Sequence, residues 1–397
     1  MEFFRNQPVS QQKEYTELLK LVGSLSNLFA DSDVPYLYYR AAENIFCRAF
    51  QAVNLSRGDV SADASKNNIG IGLKTFLHNN GKTFQKVAEF NKKNSTYVGN
   101  TPTEIVYEIA KLRNKRLEFT KEAHSLDNLM YHLVTRKPEA MYLYEESMPL
   151  VKIEDIRGIK KNENTIHFTD GIAEYNFSLS KSTLLKRFIT LEPITTIPVE
   201  ILNDPYGFLL TNREILLSNE KQTLRYPFVY LPLYASSTVG KERQFLEEKS
   251  GLNQWNAAPR TKNGPLRHEH EVYIPVPVSL HRLVPDFFPP RDVPFTLELP
   301  NGTEISASMC QQASKKEGET HFGKGLMSNP NKALGKWLLQ DLLKVPPRKL
   351  VTYEMLEEIN IDSVILYKKA EDRFSLDFAK VGSFEEYYQS LTSNLST

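Results

Sequence analysis

The chain has 397 residues, which at roughly 100–200 residues per domain suggests two domains or so. Its make-up (41% hydrophobic, 24% charged, 11% aromatic) is that of an ordinary globular protein and excludes wholesale disorder, and its two cysteines, Cys47 and Cys310, exclude a disulfide framework or a cysteine-rich zinc site. The net charge of +1 gives no overall basic field, so any nucleic-acid surface has to come from local clustering.

Residues 11 to 30 space Tyr15, Leu18, Leu19, Val22, Leu25 and Phe29 at helical intervals, which predicts a first helix. Asp33 before Val34 and Pro35 reads as the cap of a second, about 35 to 53, with Ala42, Ile45, Phe46, Ala49 and Phe50 on its buried side. Val60 to Ser65 and Ile69 to Leu77 then read as two strands joined at Lys66-Asn67-Asn68, with a third strand, Phe84 to Phe90, after Asn79-Asn80-Gly81. Helix is expected again over 102 to 134, and strands over 139 to 191, with turns at Glu163-Asn164 and Asp170-Gly171.

The second half changes character. Tyr226 to Tyr234, Val272 to Pro277, Phe295 to Leu299, Glu304 to Met309 and Val364 to Lys368 are short strands punctuated by Pro289-Pro290, Pro300-Asn301-Gly302 and Pro346-Pro347, a pattern that suggests a barrel or sandwich. The domains expected are therefore 1–220, mixed α and β, and 221–397, mainly β. No apolar run of about 18 residues is present, so no membrane helix is expected. The opening MEFFRNQPVSQQKEY has no basic segment followed by an apolar one, so no secretory signal is expected and a reduced, cytoplasmic setting fits best.

Several chemistries have no motif here: no GK[ST] phosphate loop, no GxGxxG, no HExxH and no GxSxG. No histidine stands in an HxK pattern, which argues against a phospholipase-D-type nuclease. His268 and His270 form HEH, which reads as a basic, exposed loop, with a metal site as the alternative. The informative stretch is 58 to 91. Asp63 lies in one short strand and Lys74, eleven residues on, in the next, so both side chains can reach one edge of a small sheet. A carboxylate to hold Mg²⁺ and a lysine to orient the attacking water are what metal-dependent phosphodiester hydrolysis requires. Glu43, amid apolar neighbours in AAENIF, is a buried acid that needs a metal or a partner such as Arg40 or Arg48. Gln85, Val87 and Glu89 alternate on the third strand and can bring a further ligand to the same edge.

These residues resemble the PD-(D/E)XK nuclease superfamily, in which a helix acid, a strand Asp and an acid-x-Lys on the next strand build the Mg²⁺ site. The resemblance implies Asp63 and Glu43 as metal ligands and Lys74 as the catalytic lysine. Gly72 stands where the family has its second acid, and Glu43, Gln85 and Glu89, in that order, are the residues considered to replace it.

The second half resembles the B3-like DNA-binding pseudobarrel of restriction enzymes of the EcoRII, BfiI and NgoAVII kind. The resemblance rests on YPFVYLPLY, SGLNQWNAAPRTKNGPLRHEHEVYIPVP, FFPPRDVPFTLELPNG and MSNPNKALGKWLL in that order. It implies two arms, Gln254 to Arg267 and Met327 to Trp337, that embrace the major groove of double-stranded DNA. Asn256, Arg260, Lys262, Arg267, Ser328, Asn329, Asn331 and Lys332 carry the chemistry for base-edge or phosphate contacts. Trp255 and Trp337 read as packing beneath the arms. Such arms do not suit the deep, narrow major groove of A-form RNA. The expectation is a bacterial type II restriction endonuclease of α+β class, with a cognate methyltransferase implied by the family alone. With one nuclease site per chain, it would form a homodimer, at least transiently, or nick twice.

Overall fold

A computed structural model of the chain describes residues 2–56, 60–90, 97, 99–213, 226–235, 237, 244–259, 261, 264–316 and 318–393. Two compact units are present, the first formed mainly by residues up to 213 and the second mainly by residues from 226 on. The boundary expected at 220/221 lies outside the described residues.

The first unit opens with α1 (Val9–Ser24) and α2 (Tyr39–Phe50). Pro35 does not start α2. It lies in an extended lead-in, and Tyr38 takes the cap position with no side-chain bond. Strands β1 (Val53–Asn54), β2 (Ala64–Lys66), β3 (Ile69–Leu77) and β4 (Lys82–Glu89) follow, then α3 (Pro102–Ala123). The helix expected to reach residue 134 stops at Ala123. Asn128–Lys137 is instead β5, a central strand whose apolar residues are buried on both faces, so that neither a helical nor an alternating period is visible in its sequence. After it come β6 (Ala140–Ser147), β7 (Arg157–Asn162), β8 (Thr165–Thr169), β9 (Glu174–Ser178), β10 (Thr183–Ile189), β11 (Thr195–Pro198) and α4 (Pro205–Thr211).

Two sheets form from these strands, in the orders β1-β2-β3-β5-β6-β11 and β4-β10-β9-β8-β7. The β2–β3 pair is antiparallel, turning through Asn67 and Asn68 at positive φ, whereas β3 and β5 run parallel across the crossover that contains α3. Both edges of β3 are thus occupied, and β4 pairs with β10 in the other sheet. One face of the first sheet packs Ile71, Leu73, Met130 and Val134 against Phe46 and Phe50 of α2. The opposite face packs Phe76, Tyr131 and Leu133 with Leu117 of α3 and Phe188 of β10.

In the second unit, β12 (Phe228–Pro232) precedes a 3₁₀ segment, Gly251–Asn256, then β13 (Ile274–Pro275) and α5 (Val278–Leu283). Next are β14 (Pro294–Glu298), β15 (Glu304–Gln312) and β16 (Gly323–Ser328). A short helix, α6 (Ala333–Gly335), continues into a π-helical stretch, Lys336–Leu342. The chain then builds α7 (Tyr353–Ile359), β17 (Ile361–Ala370), β18 (Arg373–Lys380) and α8 (Ser383–Ser393). The seven strands make one sheet, β12-β17-β18-β14-β15-β16-β13, and its edge strands β12 and β13 approach each other, giving a nearly closed barrel. No helix among the described residues is long and apolar enough to cross a membrane.

Candidate catalytic site and DNA-binding surface

In the first unit, Asp63 does not lie in a strand as expected but one residue before β2, where its N–H donates to the Ile71 carbonyl at 2.8 Å, next to Gly72. Alternation along β3 then puts Lys74 on the same face as Gly72. Asp63 is half-buried. Its Oδ2 accepts the Leu73 N–H at 2.7 Å, and its Oδ1 takes no hydrogen bond from the described residues. Lys74 is half-buried and makes no ion pair with them.

Glu43 comes to this corner from α2. Its carboxylate is buried, with Oε2 held by Arg40 Nη1 at 2.9 Å. Burial pushes the Glu43 carboxyl above the ordinary range, and the negative charge of Asp63 adds to the shift, so the two acids sense one another. Burial, reinforced by the same two acids, pushes the Cys47 thiol up to about 12. A corner with two converging carboxylates, one of them with an open oxygen, fits Mg²⁺, which needs only one or two carboxylates and keeps several waters. Among the described residues no cluster of three or more His, Cys, Asp or Glu side chains is arranged to hold a metal.

The position of the missing acid is crowded by side chains. A Cβ on Gly72 would lie 2.7 Å from Met148 Cε and 3.2 Å from the Tyr131 ring. Gln85 lies on β4, which belongs to the other sheet. There Gln85 stands opposite Lys186, whose ammonium pairs with Glu146 on β6. Glu89, on the same strand, pairs with Lys86 at 2.8 Å.

Sequence reasoning missed the polar groups deeper on this face. Arg113 of α3, almost fully buried, donates to Tyr131 Oη at 2.8 Å and to Ser61 Oγ at 3.3 Å. The Ser61 N–H donates in turn to Thr120 Oγ1, which ties the segment leading into Asp63 to α3. On the opposite face a buried chain of bonds runs from Tyr15 Oη through His132 to Glu145, which also accepts the Phe4 N–H. Each of these contacts joins residues far apart in the chain, so no local spacing announces them.

In the second unit, the residues of the two arms separate into builders and exposed groups. Asn256 is half-buried and donates to the Glu248 carbonyl at 3.0 Å. Arg260 and Lys262 lie outside the described residues. Arg267 donates to the Ala258 carbonyl at 3.0 Å and pairs with buried Glu271. Ser328, expected at phosphate, is buried instead. Its Oγ donates to the Pro330 carbonyl and accepts the Leu334 N–H, both at 2.9 Å, which caps the helical turn. Asn329 and Lys332 are exposed and Asn331 half-exposed, and among the described residues their side chains have no hydrogen-bond partner. Trp255 and Trp337 are buried, the latter stacked on Phe378 at 5.6 Å.

Gly335 brings the second arm against the segment just past the first. A Cβ there would sit 1.9 Å from the His270 carbonyl oxygen, so only glycine permits this approach. Lys336 then lies beside His270 and helps depress its pKa, after the larger effect of burial. Arg348 Nη2 reaches the Arg267 carbonyl at 3.4 Å. Lys332, Lys336, Arg348 and Lys349 are exposed on this side of the barrel.

Residues 232–370 match the family model of the NgoFVII C-terminal B3-like DNA-binding domain. Both expected arms fall within the match, and DNA is the partner that it supports. The nearly closed seven-stranded sheet fits a B3-like pseudobarrel. No curated protein matches the chain.

Proposed function

We propose that the chain is a sequence-specific, Mg²⁺-dependent endonuclease of restriction type, with a PD-(D/E)XK-like nuclease domain over 1–220 and a recognition domain over 221–397. What supports this reading is a B3-like domain of restriction-enzyme type following a unit in which Glu43 senses the charge of Asp63 and Lys74 stands two residues beyond Gly72 on β3. Asp63 and Glu43 would hold the metal. Bound there, Mg²⁺ would polarise the scissile phosphate and lower the pKa of a coordinated water. Lys74 orients that water and offsets charge on the phosphate as it is attacked. Exposed Asn329, Asn331 and Lys332, together with Arg260 and Lys262, meet bases and phosphates.

A second reading is favoured by Gly72, which stands in place of the usual second acid with Met148 and Tyr131 crowding its Cβ position. On that reading the first unit has lost catalysis and the chain is a sequence-specific DNA-binding protein. Incubation of phage-sized DNA with Mg²⁺, wild type beside Lys74→Ala and with an EDTA control, separates the two. Discrete bands from the wild type alone support the endonuclease. Specific retention of fragments on a filter without cutting by the wild type replaces it with the second reading.

A further inference from the structure

Arg40 is the second residue of α2, one turn before Glu43. Its Nη1 donates both to Glu43 Oε2 at 2.9 Å and to the Ser56 carbonyl at 3.1 Å. The Arg40 side chain is 45% exposed, while that of Glu43 is only 6% exposed. The guanidinium therefore lies on the solvent side of a buried carboxylate that faces a second acid, Asp63. It bridges two oxygens, as a small cation would. A divalent ion ligated by Glu43 would meet this guanidinium as a like charge on the same carboxylate.

We propose that Arg40 is an exchangeable guard of the metal position. In the DNA-free protein it occupies the cation place on Glu43. When DNA arrives it moves to a backbone phosphate of the substrate and leaves Glu43 open to the metal. This inference rests on the endonuclease reading above. Phosphate is the anion that suits the exchange, because a guanidinium makes paired, charge-assisted bonds to it. Half-exposure gives the long side chain room to move. The Tyr39 ring, 5.5 Å from Arg40 Cζ, flanks it on the exposed side. Loading of metal and binding of DNA are then coupled, so the free enzyme holds Mg²⁺ weakly.

The test is calorimetric titration of the full-length, DNA-free protein with MnCl₂. Wild type should bind weakly, Arg40→Gln about tenfold more tightly because an ion pair no longer competes for the carboxylate, and Arg40→Lys close to wild type. Adding Asp63→Asn to Arg40→Gln should remove the gain. If Arg40→Gln binds no more tightly than wild type while Asp63→Asn still weakens binding, the guard role is overturned and the metal site stands. If no variant binds Mn²⁺, or Asp63→Asn has no effect, both the guard and the endonuclease reading fall. Thermal melts followed by circular dichroism identify any variant that has not folded.

Discussion

Replacing Gly72 by the acid that PD-(D/E)XK nucleases carry should damage this protein rather than improve it. The ideal Cβ falls 2.7 Å from Met148 Cε and 3.2 Å from Tyr131 Cδ1, and both neighbours are buried in the core between the first sheet and α3. Replacing a strand glycine by alanine gains roughly 0.5–1 kcal/mol of backbone entropy, and overpacking costs about 1–3 kcal/mol, so Gly72→Ala should lie between neutral and about 2.5 kcal/mol destabilised. Gly72→Glu adds a carboxylate amid methionine and tyrosine, which costs several kcal/mol more unless the group takes up a proton. For a unit of this size each kcal/mol lowers Tm by about 2–4 °C. The assay uses the placement of the tryptophans. The only two, Trp255 and Trp337, lie in the second unit, so tryptophan fluorescence follows that unit and the remaining change in far-ultraviolet dichroism follows the first. Gly72→Glu should lower the transition of the first unit and leave the fluorescence transition in place. Shortening Met148 to alanine should recover part of the loss, as expected for residues in contact. A Gly72→Glu variant as stable as wild type and cutting faster would refute the packing argument, because the position would then be open to a metal.

Two further outcomes concern the second unit. Lys332→Ala and Lys336→Ala should each weaken DNA binding equally across sequences and reduce the slope of log affinity against log salt by about one, as measured by fluorescence anisotropy between low and moderate salt. An unchanged slope would remove that lysine from the phosphate contacts. Glu319 is held well below the ordinary carboxylate value of 4.5, to about 2, by hydrogen bonds from Arg282 and Ser314. A depressed pKa means that the folded state binds the proton less readily than the unfolded chain. The stability it contributes is therefore present above pH 4.5 and lost as pH falls toward 2. Glu319→Gln should flatten the acid-side fall of the tryptophan-detected transition, and an unaltered acid dependence would refute the assignment.

Local periodicity made α1, the body of α2 and the β2–β3 hairpin legible, because each carries its apolar spacing and turn residues within a few positions. It failed at β5, whose two buried faces erase the alternation, and at β4, whose strand pattern is clear but whose partner is chosen by long-range pairing. The convergence of Asp63 with Glu43 was legible as residue types and spacing. The crowding at Gly72 was not, since Tyr131 and Met148 arrive from 59 and 76 residues away. The same limit hid the Arg113 and Lys186 contacts, which join α3 and β10 to strands of the first sheet.

The arms show why residue chemistry alone over-counts DNA contacts. Asparagine, serine and arginine suit bases and phosphates, and they suit a loop that has few backbone partners of its own equally well. Asn253 makes the point: it is fully buried and exchanges two bonds of 2.9 Å with the backbone of Val351, fastening the 3₁₀ segment at the start of the first arm to the loop that leads into α7. Ser328 and Arg267 do comparable work at the bases of their own arms. A polar side chain already committed to such bonds has fewer donors or acceptors left for DNA. The polar groups of the second arm that have no such bonds among the described residues are Asn329, Asn331 and Lys332, which the proposed function therefore places first at DNA. The Gly335–His270 contact brings the second arm against the segment just past the first, so that a change at either should move both.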